Sequence, residues 1–429
     1  MQVSELDLGV SRLGECQVPS PMSRTRFVGD GNHVLYHSNL RDIEAILKTG
    51  KSPPFFEMAG PREKIFFDPS RLNCGIVTCG GLCPGLNDVI RAIVMGLFYH
   101  YGVRTVFGFR YGYEGLTDRY GHVPMELDPK VVDDIHQKGG TILGSSRGSQ
   151  DISEMVDTLE RRKVGLLFAI GGDGTLRGAG AIAEEIGRRN LKIGVIGIPK
   201  TIDNDISAVD LSFGFETAVS EARTAIYSAH TEARGARNGV GLVKLMGRES
   251  GFIAAYAALA YNDVNFCLIP EARFTLEAFL EALRQRLERR SHAVVVVAEG
   301  AGQDLMEKTG ERDASGNVRF GDVGVFLRDR IREYFRKVGT ELNLKYIDPS
   351  YTIRSVPANP HDSAFCLLLG HNAVHAGMAG RTDMVVGYWK SEFTHVPIRV
   401  AVSRRKQIDP NGRLWDNVLA CTGQPREMV

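Results

Sequence analysis

Residues 196–206 read IGIPKTIDNDI, placing Asp203, Asn204 and Asp205 directly after an apolar run. Two carboxylates in a three-residue window repel each other, so holding them close takes a cation, a hydrogen-bonded network or solvent. The tract therefore asks for a metal, a proton or water. In an extended conformation Thr201, Asp203 and Asp205 share one face while Asn204 points away, so both carboxylates address one ligand. Asx-rich runs also cap helices and fill turns, and the tract alone leaves both readings open.

Two glycine-rich stretches bring related chemistry. In TCGGLCPGLNDVIRAI, Gly80, Gly81 and Gly85 follow an apolar run and Asn87 opens a helical pattern. Glycines there let backbone N–H groups approach a phosphate, and the helix start adds partial positive charge; a tight turn without a ligand uses the same residues. In FAIGGDGTLRGAG, Gly171, Gly172, Asp173, Gly174 and Thr175 again precede a helical pattern. A carboxylate flanked by glycines suits a Mg²⁺–phosphate complex, because Mg²⁺ keeps water and phosphate oxygens around few protein ligands. GGDGT runs occur in NAD kinases and diacylglycerol kinases alike, so this one points to a nucleotide and leaves the acceptor open.

Positioning these loops falls to the elements around them. From Leu72, short apolar runs such as CGIVTC, RTVFGF, GLLFAI, IGVIGI, GVGLVKL and AVVVVA alternate with longer amphipathic segments. That rhythm is βαβ, hence a parallel sheet with helices on its faces. Leu276, Phe279, Leu280, Leu283 and Leu287 recur at helical spacing within 275–290, predicting a core-facing helix. Residues 1–70, broken by CQVPSPMSR and KSPPFFEMAGPRE, are expected to be an irregular extension packed on a core. About 300 residues of alternating elements predict two α/β domains with a cleft, ligands sitting beyond the carboxyl ends of strands.

With 52 basic and 51 acidic side chains in 429 residues, the net charge of +1 gives no global attraction to nucleic acid or to an anionic membrane. The apolar stretch GFIAAYAALA reaches half of the roughly 20 residues a membrane span needs. MQVSELDLGV lacks the basic and apolar pattern of a secretory signal, and QPREMV is not a peroxisomal tripeptide, so the expected location is the cytoplasm. Of seven cysteines, Cys74, Cys79 and Cys83 fall in or just after one strand and read as reduced core thiols rather than zinc ligands.

Taken together and in order, TCGGLCPGLN, GGDGTLRGAG, PKTIDND and LMGRESGFIA resemble the phosphofructokinase family over residues 71–400. PKTIDND, the N-terminal extension and SRRKQID at 403–409 are most similar to its long-chain members, among them the trypanosomatid ATP-dependent kinase and plant pyrophosphate enzymes. The resemblance implies two interleaved Rossmann-like three-layer α/β domains. It sets an extension at 1–70, a donor domain at 71–214 with a returning segment at 356–400, a sugar domain at 215–355 and a C-terminal extension at 401–429. It also implies a homo-oligomer, tetramer or dimer, acting on fructose 6-phosphate and ATP with Mg²⁺.

By the same resemblance Asp203 is the general base for the 1-hydroxyl, with Thr201 and Asp205 beside it. Asp173 holds Mg²⁺; Gly80, Gly81, Gly172, Gly174 and Thr175 line the donor phosphates; Arg147 of GGTILGSSRG and Lys200 neutralise the transferring group. Met246, Gly247, Arg248 and Glu271 contact the sugar, and Lys345, Tyr351 and Arg354 take its 6-phosphate. The chain departs from the short bacterial pattern at Gly239, where those relatives carry an intersubunit arginine; Arg237 is the alternative donor of that contact. Pyrophosphate-using members generally carry aspartate at the position of Gly174, so the glycine favours ATP, whereas Lys200 is shared with them. A pyrophosphate enzyme and a non-catalytic regulatory subunit are the competing readings.

Overall fold

The computed structural model describes residues 7–307, 310, 311 and 318–429. The described residues divide into two compact units and the chain passes between them more than once: those within 7–201, 206–214 and 356–404 form the first, and those within 202–205, 215–355 and 405–429 the second.

The first unit is built on a nine-stranded sheet. Its centre is parallel, in the order Met384–Trp389, Gly194–Pro199, Val164–Gly171, Asn73–Thr78 and Thr105–Phe109. These strands are almost continuously apolar because both faces are covered. Leu167 and Ala169 face the cluster that includes Leu176, Ala179 and Ile182 of the helix Asp173–Arg188. Their neighbour Leu166 points the other way, onto Gly377 of the helix Pro360–Met378, as strand alternation requires. The chain runs from Asn73–Thr78 outward to Thr105–Phe109, then returns to the opposite side for Val164–Gly171. This reversal is where an open α/β sheet leaves a crevice beyond its carboxyl ends.

The expectation of an irregular N-terminal extension is corrected in part. His33–Leu35 and Phe55–Met58 add two antiparallel strands to the sheet beyond Glu392–Pro397. A helix, Leu40–Lys48, joins them, capped by the Asn39 side chain. Strands of three and four residues fall below what alternation can reveal in a sequence. Ion pairs of two buried arginines tie this segment down: Arg381, 1% exposed, bonds Asp30 at 2.8 Å and also Glu57, while Arg62 reaches the same two acids at 3.1 and 3.0 Å.

The second unit holds a four-stranded, all-parallel sheet in the order Phe266–Leu268, His292–Ala298, Gly239–Leu245 and Asn343–Ile347. The helix Leu276–Arg290 matches its sequence pattern: Phe279, Leu280, Leu283 and Leu287 are buried, and Thr275 caps the start by accepting the Ala278 N–H. The helix Phe215–Arg234 crosses the sheet so closely that a Cβ on Gly239 or Gly241 would meet the Ala233 or Ala229 carbonyl oxygen at 2.0 or 2.6 Å.

Candidate functional site

Three loops of the first unit leave the carboxyl ends of three adjacent parallel strands, Asn73–Thr78, Val164–Gly171 and Gly194–Pro199. In the first loop Gly80 has φ 86°, a left-handed backbone that glycine adopts without strain. Its N–H donates to the Ser146 carbonyl at 3.0 Å, and its carbonyl accepts the Ser145 hydroxyl at 2.6 Å. The Gly80 amide is thus already bonded inside the protein, which narrows the expected phosphate cradle toward Gly81. The Gly81 carbonyl accepts the Lys200 ammonium at 2.7 Å, bringing the buried lysine of the third loop onto the first.

The same contacts place Arg147, which is exposed and follows Ser146 directly. Asn87, at the start of the helix Leu86–Met95, holds its loop from both sides, accepting the Ile142 N–H at 2.9 Å and donating to the Lys138 carbonyl at 3.0 Å. Thr78 adds a hydrogen bond to the Gly144 carbonyl at 2.7 Å.

The GGDGT loop closes Val164–Gly171 and opens the helix Asp173–Arg188, with Gly172 at its cap. Asp173 is the first helical residue, and its carboxylate accepts Arg177 Nε at 3.0 Å one turn on. Arg177 also donates to the Val402 carbonyl at 2.5 Å, so Asp173 is steadied by a cation the sequence reading did not single out. Gly174 stands in open space: no atom lies within 4 Å of a Cβ built there. Thr175 is buried, and its carbonyl accepts the Tyr113 hydroxyl at 2.6 Å.

In the second unit the acidic tract differs from the extended form expected of it. Asn204 takes φ 53°, a left-handed turn that its side chain tolerates better than most, so the alternation assumed for Asp203 and Asp205 is broken. The two acids diverge in environment instead. Asp205, 4% exposed, pairs with Arg405 Nη1 at 2.6 Å. Asp203 keeps some solvent-facing surface, yet its carboxyl is pushed well above the usual carboxylate range, first by burial and then by the charges of Asp205 and Glu299. The Arg248 N–H, 3.5 Å from Asp203 Oδ2, and the Arg405 charge oppose that shift without cancelling it.

LMGRESG follows the strand Gly239–Leu245. Gly247 has φ 130°, and its carbonyl accepts the Gly300 N–H at 3.0 Å. The Arg248 guanidinium lies over the Phe320 ring, 4.3 Å from its centroid, and bonds the Val318 carbonyl. Met246 is half-buried beside it. Glu271 accepts backbone N–H groups from Gly251 at 3.0 and 3.1 Å and from Ile408 at 3.0 Å; burial still raises its carboxyl above the ordinary value. These bonds make Glu271 an anchor between two backbone segments. Lys345 and Tyr351 are exposed, and Arg354 stacks over the Tyr351 ring at 4.9 Å.

The family model described as Phosphofructokinase matches residues 73–377. An ATP-dependent 6-phosphofructokinase of Borreliella burgdorferi is 49% identical over 99% of this chain and 98% of the relative. One from Amycolatopsis methanolica is 49% identical over 98% and 95%, and one from Trypanosoma cruzi 46% identical over 98% and 88%. The chain belongs to the phosphofructokinase family. Among solved structures, a pyrophosphate-dependent phosphofructokinase of Nitrosospira multiformis superposes with TM-score 0.68 at 18% identity, covering 83% of this chain and 92% of that one. At that identity the likeness speaks for the fold alone.

Two residues of this phosphofructokinase escaped the sequence reading. Glu299 follows the strand His292–Ala298 as one more acid before a glycine, with nothing in its spacing to mark it; in the structure its charge acts on Asp203, and the charges of Arg248, Lys244 and Arg354 act on it in turn. Arg405 lies 200 residues from Asp205. Gly239 is explained by packing, since any side chain there would strike the helix Phe215–Arg234. Arg237, weighed as a substitute, forms an exposed pair with Glu341 at 3.8 Å.

Proposed function

We infer that this chain is an ATP-dependent 6-phosphofructokinase, moving the γ-phosphoryl group of ATP to the 1-hydroxyl of fructose 6-phosphate to give fructose 1,6-bisphosphate. Near-full-length identity to relatives that bear the name supports the activity. The observation that carries the mechanism is Asp203: a carboxylate whose proton affinity is raised by burial and by neighbouring acids is a better acceptor for an alcohol proton near neutral pH.

Asp203 is the base, with Thr201 and Asp205 flanking it in the chain. Arg147 and Lys200 neutralise charge on the transferring group, and Arg is suited to this because its planar fork bridges two phosphate oxygens. Gly81, Gly172 and Gly174 leave room for donor phosphates at the helix start, and Met246, Gly247, Arg248, Lys345, Tyr351 and Arg354 bind the sugar phosphate. Glu271 supports that site through the backbone it holds. Transfer is direct and in line, the protein contributing position and charge rather than a covalent intermediate.

Asp173 fits a magnesium ion that arrives with its nucleotide. It offers one carboxylate at a glycine-flanked helix start, and no group of three or more His, Cys, Asp or Glu side chains is arranged to hold a metal among the described residues. Mg²⁺ there would neutralise the donor phosphates, with Asp173 as its protein ligand. Gly174 supports ATP over pyrophosphate, and the presence of Asp173, Asp203 and Asp205 opposes a non-catalytic subunit. No helix among the described residues is long and apolar enough to cross a membrane; a cytoplasmic homo-oligomer is the accompanying proposal. Sugar-dependent ADP release, measured over a panel of phosphorylated and free sugars, tests the reading: fructose 6-phosphate is expected to dominate, and preference for another acceptor class would replace it.

A further inference from the structure

Close to the end of the chain, residues 405–408 thread through the acid tract and the acceptor loop of the second unit. On one side Arg405 Nη1 meets Asp205 Oδ2 at 2.6 Å and the Lys406 N–H donates to the Asp205 carbonyl at 2.8 Å. On the other, the Ser250 hydroxyl donates to the Lys406 carbonyl at 2.5 Å and Gln407 Nε2 to the Glu249 carbonyl at 2.9 Å. The Ile408 N–H then reaches Glu271, which also holds the Gly251 N–H. Four consecutive residues therefore bond both to Asp205 and to the loop that follows Arg248.

We propose that Arg405 is a positioning residue for phosphoryl transfer: its ion pair fixes the charge and orientation of Asp205, and through Asp205 it sets the state of the Asp203 carboxylate, while residues 405–408 brace the acceptor loop. This rests on the reading of Asp203 as the base. A carboxylate as buried as Asp205 is costly without a cation, and the Arg405 guanidinium paired to it at 2.6 Å offsets its charge beside Asp203. Several charged groups bear on the pair. Asp203 feels Asp205, Glu299 and Arg405 and receives the Arg248 N–H, while Arg405 also lies 3.9 Å from Glu249. The Arg248 N–H and the Arg405 charge both hold Asp203 down, so removing Arg405 drives the Asp203 proton affinity further up.

The test is the pH profile of turnover for wild type, Arg405→Gln and Arg405→Lys, with saturating ATP and fructose 6-phosphate. Arg405→Gln is expected to move the acid limb upward by about one pH unit and to lower turnover at neutral pH about tenfold or more. Arg405→Lys, with a charge on a shorter reach, should fall between it and wild type. A purely structural role would lower activity at all pH values without moving the limb. Superimposable limbs in active variants would overturn the proposal; should Arg405→Gln fail to fold, a wild-type limb in Arg405→Lys would do so alone. Absence of fructose 6-phosphate-dependent activity in the wild-type chain would instead remove the underlying function.

Discussion

Replacing Gly174 by aspartate isolates the feature on which donor choice rests. Gly174 is the second residue of the helix Asp173–Arg188, outside the left-handed region, and a Cβ there meets nothing within 4 Å. The folded protein should accept the change: leaving glycine in a helix gains about 0.5–1 kcal/mol, and an acid in the first turn suits the helix dipole. The cost should fall on ATP. A new carboxylate about 4 Å from a phosphate charge, at an effective dielectric constant of about 20, opposes it by about 4 kcal/mol. Counter-charge carried with the nucleotide reduces this, so the expected rise in KM for ATP lies between about tenfold and about a hundredfold. Steady-state kinetics with each substrate varied in turn, alongside a melting curve, provides the assay. KM for fructose 6-phosphate should change little. An unaltered KM for ATP in a folded Gly174→Asp protein would refute the argument from space and charge.

Asp203→Asn should reduce turnover by roughly a hundredfold or more while sugar binding survives, and near-normal turnover would remove Asp203 from its role. The same change should flatten the dependence of stability on pH: a carboxyl whose folded proton affinity is raised favours folding at low pH, and this contribution is lost as pH climbs from about 4 through the raised folded value. Melting temperatures of both proteins across that range check it, and equal slopes would contradict it. Arg354→Ala should raise KM for fructose 6-phosphate far more than KM for ATP, and equal rises would count against Arg354 as a 6-phosphate ligand. In native protein a thiol reagent should modify rapidly only the half-buried Cys16 and Cys421; Cys74, Cys79, Cys83, Cys267 and Cys366 are buried, and burial pushes the Cys79 thiol up to about 12. Rapid loss of more than two thiols would contradict the packing.

Much of the fold is legible because parallel strands covered on both faces must be apolar. CGIVTC, GLLFAI and IGVIGI announce three adjacent strands, and the glycines after them announce the loops. The Leu276–Arg290 helix is equally plain from its spacing. What the sequence hides has two physical causes. Some features are too short or too local to leave a period, such as Phe55–Met58 at the sheet edge and the left-handed turn at Asn204. Others are made by long-range contact: Arg405 reads as one of several basic residues in SRRKQID until Asp205 is found beside it, and Gly80 reads as a phosphate donor until Ser146 is found on its N–H. Glu271 shows the same limit, since only its two backbone partners, the Gly251 and Ile408 N–H groups, reveal an anchoring carboxylate.

The most direct measurement is the initial rate of fructose 1,6-bisphosphate formation by the purified chain at fixed fructose 6-phosphate and Mg²⁺, with ATP in one series and pyrophosphate in the other. Rapid, saturable turnover with ATP and little or none with pyrophosphate is the predicted result. Substantial turnover with pyrophosphate and none with ATP would contradict the reading of Gly174, and no product with either would contradict the assignment of Asp203 as a catalytic base.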